Sequence, residues 1–403
     1  MDPTRPDLAI LGGGIVGLAT ALSLQDRHPQ LQLTVLEKEP EVGRHQTGHN
    51  SGVVHSGIYY RPGSLKARLC VDGVGLMRAF CQEHGIPFDA VGKVIVATRA
   101  DELPRLDDLL ARGNENGVPG LRLLDAQELR EIEPHATGLR AIHSPSTAIT
   151  DYGAVTRAMR SAFERRGGRV LTGAAVQAIR SGSDSVRLTT QAGDVEAAHL
   201  ISCAGLYADR VARMAGVDLD VRIIPFRGEY MVLAPERRAL VRGLIYPVPD
   251  PALPFLGVHL TRTVGGEVEA GPNAVLAFDR EGYSVLDVSL RDTADSLSFP
   301  GLWRMARSFL GIGLYEYYRS FSKVAFVRAI QRLLPEIAVA DVRRGGAGVR
   351  AQALGRDGKL LDDFVIRESE RALHVLNAPS PAATASLAIG RHLSDLADER
   401  FAL

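Results

Sequence analysis

Cysteine is scarce. Cys70, Cys81 and Cys203 are the three in 403 residues, too few and too scattered for a disulfide framework or a zinc site of the C-x-x-C type, so a reducing compartment is the expected home. Excess charge of either sign is also missing, because 47 Lys and Arg balance 47 Asp and Glu. Without a basic surplus nucleic acid is not an expected partner, and a small molecule takes its place. No apolar run reaches the roughly 18 residues of a membrane span, and the opening MDPTRPDLAILGGG enters a strand pattern with no charged-then-apolar leader. These absences point to a cytoplasmic protein. Internal repeats and low-complexity segments are lacking too. What remains is an ordinary globular composition, 45% apolar, 23% charged and 6% aromatic, long enough for two domains.

The first positive signal is a dinucleotide fingerprint. Asp7-Leu8-Ala9-Ile10-Leu11 has the length and apolarity of a buried strand. Gly12-Gly13-Gly14-Ile15-Val16-Gly17 follows, and Leu18 to Leu24 reads as a helix. Gly12 permits the tight turn, Gly14 lets backbone approach a pyrophosphate, and Gly17 allows helix to pack on strand, so phosphates meet the helix N-terminus. A second strand, Leu31 to Leu36, ends in Glu37, twenty residues after Gly17. An acid there accepts hydrogen bonds from ribose hydroxyls and repels a 2′-phosphate.

The continuation separates FAD from a nicotinamide cofactor. In place of another helix and strand, Glu37 is followed by Lys38 to Arg44 and then by HQTGHNSGVVHSGIYY, His45 to Tyr60. Three histidines, three glycines and no acid make a poor solvated loop; they suit a segment pressed along a phosphate-bearing cofactor. The cofactor candidates here are Gly12, Gly14, Ile15, Val16, Gly17, Glu37, Lys38, His45, Thr47, Gly48, Ser51, Gly52 and Val53.

These motifs, with PGSLKARLC after the histidine run and GAGVRAQ and NAPSPAATASLAIG near the C-terminus, resemble the L-2-hydroxyglutarate oxidase/dehydrogenase family. That family is a branch of the FAD-dependent D-amino-acid-oxidase-like superfamily. The resemblance implies an α/β (α+β overall) architecture, a Rossmann-like FAD-binding domain with an inserted substrate domain built on an antiparallel sheet. Residues 1–90, 145–220 and 345–403 are assigned to the FAD-binding domain, and 91–144 and 221–344 to the substrate domain. The implied reaction oxidises L-2-hydroxyglutarate to 2-oxoglutarate by hydride transfer to the flavin, with quinone or oxygen taking the electrons. Amine or amino-acid oxidation and glycerol-3-phosphate dehydrogenation, from sister branches, stay open, as does a flavin-bound sensor without turnover.

The same resemblance supplies further site candidates. The strand Ala198 to Cys203 ends in Ala204-Gly205, which fits beside the cofactor phosphates, and Val176 lines the adenine pocket or is a plain core valine. Pro381, Ala382, Ala383 and Thr384 open a helix whose N-terminus can stabilise a reduced flavin. Arg350 is placed like the arginine that clamps a substrate carboxylate, and a guanidinium matches that group bidentately; a surface arginine beside Arg343 and Arg344 is the plainer reading.

Removing the hydroxyl proton needs a base, and histidine titrates near ~6.5. His55, in the histidine run, comes first and His259 is the rival, with a structural histidine as the alternative for either. Tyr60, Lys66 and Arg61 are candidates for a second carboxylate, and Tyr246 and Gln352 complete the substrate set. His45, His49 and His55 fit no common metal-ligand spacing, so no metal is expected. Finally, Phe299 to Ile337 reads as helical, with Trp303, Tyr315, Tyr318 and Phe321 among Arg304, Arg307, Arg319 and Lys323. It is either a cover for the substrate domain or a peripheral contact with the inner face of a membrane.

Overall fold

A computed structural model describes residues 5–250 and 256–403. The first four residues of the opening run and residues 251–255 lie outside the described residues. Strands Leu8–Leu11 and Leu33–Leu36 are buried at every position, as parallel strands covered on both faces must be. They lie centrally in a six-stranded sheet ordered Val365–Glu368, Ala372–Asn377, His199–Ser202, Leu8–Leu11, Leu33–Leu36, Arg169–Leu171. Every pairing is parallel except that of the edge strand Val365–Glu368. The helix Ile15–Arg27 packs against Tyr152–Arg165 and Ala382–Phe401, so the two ends of the chain share one core. An antiparallel meander, Val176–Ser181, Val186–Thr190 and Gly193–Ala197, is inserted in the chain between the sheet strands Arg169–Leu171 and His199–Ser202.

The second sheet carries the substrate half. Its nine strands run Val275–Leu276, Val221–Leu233, Val268–Gly271, His259–Arg262, Leu244–Pro247, Lys93–Ala97, Arg140–Ser144, Arg122–Asp125, with Val342–Gly355 paired along Val221–Leu233. The expected antiparallel pairing holds throughout this sheet but for one pair, and one expected boundary shifts. The sheet is mixed, because Leu244–Pro247 runs parallel to Lys93–Ala97; these strands are far apart in sequence, so no hairpin dictates their direction. The boundary expected at residue 345 falls inside the single strand Val342–Gly355, whose register with Val221–Leu233 carries Arg350 and Gln352 into the second sheet, opposite Phe226 and Ile224.

The helical stretch expected over 299–337 splits into Pro300–Phe321 and Lys323–Gln331, and Ser322 caps the second by accepting from the Ala325 amide. Strands Gly193–Ala197, Val268–Gly271 and Val275–Leu276 and the helix Leu290–Leu297 had no clear sequence signal.

A buried ion network ties the two sheets together. Arg280, 1% exposed, donates from Nη1 to the Leu206 carbonyl and Asp209 Oδ1, both at 2.6 Å, and from Nη2 to the Ile223 carbonyl at 3.2 Å and Asp295 Oδ2 at 2.8 Å. Leu206 and Asp209 follow the Ala204-Gly205 turn of the first sheet, and Ile223 belongs to the second. Replacing Arg280 by Met removes the buried partner of Asp209 and leaves that carboxylate only Arg213 as a cation, a loss of about 3 kcal/mol. The expected outcome is a large drop in the urea midpoint with the slope unchanged, and an unchanged midpoint would contradict the role.

Candidate active site

Gly12 has φ +109°, and a Cβ there would lie 2.4 Å from the Cys203 carbonyl oxygen; one on Gly17 would lie 2.0 Å from the Gly12 carbonyl oxygen. Only glycine permits the turn, helix and strand end to crowd together this way. The helix that follows is capped by Gly14 with no side-chain acceptor, and the C-terminal helix begins at Pro381 likewise uncapped. Both N-termini open on one cavity of about 1210 Å³. Two uncapped helix starts facing one space suit an anionic, extended ligand. Thr47 Oγ1 accepts from the Ile15 amide at 3.1 Å. Glu37 is buried and accepts from the Gly13 and Glu39 amides at 2.7 and 2.9 Å, which fixes the carboxylate and leaves lone pairs for ribose hydroxyls. The residues fit FAD.

The cavity wall contains nearly all of the expected cofactor set. Gly12, Gly14, Ile15, Val16, Gly17, Glu37, Lys38, His45, Thr47, Ser51 and Val53 line it, as do Val176, Ala204, Gly205 and Pro381, Ala382, Ala383 and Thr384. Gly48 and Gly52 do not. A Cβ on Gly48 would press on the Gly43 carbonyl and one on Gly52, at φ +68°, on the Thr150 carbonyl, so these two glycines serve the packing of the loop. Thr384 fastens the histidine run to the C-terminal helix, because its Oγ1 accepts from the His55 amide at 3.0 Å and meets the Tyr152 hydroxyl at 2.9 Å.

The three histidines of that run part company. His45 contacts the Tyr283 hydroxyl through Nδ1 at 3.1 Å and Glu39 through Nε2 at 2.9 Å, and His49 stacks on the Tyr283 ring at 4.0 Å. Among the described residues Glu39, His45 and Glu281 draw close enough to share a cation. The Lys38 ammonium is already there, paired with both carboxylates. His55 has different neighbours: its amide is held by Thr384, and its Nδ1 is buried and unpartnered on the cavity wall.

Tyr60, Lys66, Tyr246, His259, Arg350 and Gln352 are all on the same cavity wall, and Lys66 and His259 are near enough to His55 to act on its charge; Arg61 is exposed and off it. His259 stacks on Tyr246 at 3.9 Å, and its Nδ1 lies 3.0 Å from the Gly257 carbonyl. A carbonyl only accepts, so Nδ1 carries the proton and Nε2 keeps its lone pair. Burial first, then the Lys93, His259 and Lys66 charges, bring His55 down to about 3. Burial, opposed by the Gly257 bond and assisted by Arg350 and Lys93, brings His259 down to about 3. His55 is half-buried by exposed area, yet the area left open faces the cavity and is covered once ligands fill it. Arg350 is half-buried, on the cavity wall, where Arg343 and Arg344 are exposed. Its Nη1 reaches the Asn273 carbonyl at 3.4 Å, and burial lowers its pKa. Lys66 is bound to Asp362 at 3.0 Å.

Sequence reasoning missed Lys93, Tyr59 and Tyr230. Lys93 opens a strand, KVIVA, that is buried throughout; a lysine in so apolar a run was the available signal.

The FAD dependent oxidoreductase family model matches residues 7–396. The chain belongs to that family. It is 51% identical to an L-2-hydroxyglutarate dehydrogenase of Indibacter alkaliphilus over 97% of this chain and 98% of the relative. It is 47% identical to the mitochondrial L-2-hydroxyglutarate dehydrogenase of Homo sapiens over 98% of this chain and 89% of that one. Among solved structures, the FAD-bound L-alpha-glycerophosphate oxidase of Mycoplasma pneumoniae superposes with a TM-score of 0.80 at 21% identity, covering 98% and 94% of the two chains. The glycine oxidase of Geobacillus kaustophilus follows at 0.74 and 19%, covering 98% and 95%. These two report the fold alone. FAD is the cofactor of this family, and the uncapped helix starts and the Glu37 carboxylate are where this chain would hold it.

The neutral histidines make stability depend on pH. His259 titrates at about 3 when folded and near ~6.5 when unfolded, so below 6.5 the unfolded chain binds the extra proton. Stability is full above that pH and falls as pH drops toward 3, by at most about 1.4 kcal/mol per unit for this group. Thermal melts at pH 7 and pH 5 should show a decline that is shallower in His259→Gln; an equal decline would contradict the assignment.

Proposed function

We propose that the protein oxidises L-2-hydroxyglutarate to 2-oxoglutarate, its electrons passing to quinone or oxygen. One observation carries the reading. On the cavity wall a half-buried arginine and two uncharged histidines face one space, which is what a 2-hydroxy acid requires. FAD, when bound, supplies the two-electron acceptor. Arg350 pairs with the carboxylate next to the hydroxyl, a bidentate match that also orients the adjacent carbon. His259 accepts the hydroxyl proton on Nε2, the lone pair kept free by the Gly257 bond. His55 hydrogen-bonds the same hydroxyl and holds it toward His259. Gln352, Tyr60, Tyr246 and Lys66 line the remaining wall, where the second carboxylate lies. The relatives at 51% and 47% identity support the hydroxy acid over an amine or glycerol 3-phosphate, which only neighbours near 20% identity suggest.

Anaerobic addition of L-2-hydroxyglutarate should bleach the flavin band near ~450 nm, with the D enantiomer and glycine leaving it unchanged; bleaching by amines alone would sink the proposal. Arg350→Met should keep its flavin while raising KM by roughly 100-fold, the scale of a lost enclosed charge pair.

The acceptor side has its own surface. Among the described residues no helix is long and apolar enough to cross a membrane. On the part of Pro300–Phe321 that follows a kink at Phe309, however, Leu310, Leu314, Tyr318 and Phe321 are 54–65% exposed and recur at intervals that place them on one face. Arg304, Arg307 and Lys323 flank that face. We infer a peripheral seat on the inner, cytoplasmic face of a membrane, where quinone is the acceptor. Vesicles with anionic lipid should sediment the protein. Leu310→Glu with Leu314→Glu should abolish sedimentation yet leave turnover with a soluble dye intact, and undiminished sedimentation would remove this helix from the interface.

A further inference from the structure

Lys93 is a lysine the reaction described above does not use, and its surroundings are unusual. It is 1% exposed at the head of Lys93–Ala97, in the middle of the substrate sheet, and is not part of the cavity wall. Its ammonium stands 4.5 Å from the centre of the Tyr59 ring and 5.2 Å from that of Tyr246. Both rings line the cavity, and Tyr246 is the ring on which His259 stacks. A cation drawn to two aromatic faces holds both, since each contact contributes about 0.5–2 kcal/mol when desolvated.

We propose that Lys93 is a positioning residue: its ammonium, clasped by Tyr59 and Tyr246 behind the substrate space, braces the wall that carries His259 and sets a positive charge behind both histidines. The role rests on the oxidation proposed above.

The charged and titratable groups around the two histidines come from every neighbouring element. Lys93, Lys66, Cys70, Tyr59, Tyr246 and Arg350 face them. Lys93 heads the charges that act on His55, ahead of Lys66, whose own charge is paired with Asp362. Cys70 cannot offset it as a thiolate, because burial pushes the thiol up to about 12. Burial brings Lys93 itself down to about 7, so its charge, and with it the hold on the wall, weakens as pH rises past neutrality. Lysine is better suited than arginine to such titration; arginine keeps its charge at any working pH.

The test uses the FAD-loaded protein with ring-labelled histidine followed by NMR, a readout that needs no substrate. Lys93→Met and Lys93→Gln both remove the charge, and either serves. The expected result is a rise of about one pH unit in the titration midpoint of His55, the scale of a unit charge at this range in a protein interior. Lys93→Arg restores the wild-type midpoint. With L-2-hydroxyglutarate the neutral variants should lose about tenfold in kcat with KM within about twofold, as misplacement of a catalytic group without loss of binding would give. A wild-type His55 midpoint near the ordinary ~6.5 overturns the proposal. So does a midpoint unmoved by removal of the charge, and so does flavin lost equally from Lys93→Met, Lys93→Gln and Lys93→Arg, which would assign Lys93 to packing. If wild type is not reduced by L-2-hydroxyglutarate, the oxidation is refuted, and the NMR midpoints still decide the electrostatic role of Lys93.

Discussion

The site exists because two sheets meet along one cavity, and the buried Arg280 cluster sets where they meet. Its guanidinium joins the carbonyl of Leu206 and the carboxylate of Asp209, next to the cofactor turn, to the carbonyl of Ile223 at the start of the long substrate strand Val221–Leu233. That strand pairs with Val342–Gly355 and so places Arg350. Such a cluster is costly to desolvate, and its directionality fixes orientation where apolar packing alone allows sliding. A shift of the second sheet by one residue would turn Arg350 away from the cavity.

Charge is then rationed inside the cavity. Anionic parts of a bound dinucleotide would meet helix N-termini and backbone N–H groups, which supply partial positive charge without a mobile side chain. Near His259 a full charge is on Arg350, and the histidines stay uncharged because burial and neighbouring cations oppose protonation. The arrangement separates carboxylate binding from proton acceptance. A second network backs the arginine: Asn273, whose carbonyl meets Arg350, bonds Glu229 through both its side-chain amide and the Glu229 backbone N–H, and Glu229 also holds Ser320 on the helix that bears the exposed apolar face.

Much of this was legible beforehand because local rules govern it. The glycine turn, the acid after the second strand and the histidine run depend on close backbone approach, and only certain residues permit that. The parallel strands and the C-terminal helix follow from unbroken apolar runs and a proline-marked start. Less legible were the short strands at Val268–Gly271 and Val275–Leu276, too brief to show a period, and the parallel pairing of Leu244–Pro247 with Lys93–Ala97, which no turn encodes. Gly48 and Gly52 looked like cofactor glycines and are loop-packing glycines, since a one-dimensional motif does not show which backbone a missing Cβ would strike.

By itself the sequence determined the dinucleotide cradle, the preference for FAD and the family resemblance, because those rest on residue type at fixed local spacing. Tertiary structure decided the rest. It gave His259 a defined tautomer through a carbonyl two residues away, left His55 with an unpartnered nitrogen in the cavity, put Arg350 on the cavity wall while exposing Arg343 and Arg344, and set Lys93 behind two tyrosine rings. Burial and the charge of distant neighbours set the protonation of these groups, and both arise only when strands remote in sequence share a sheet.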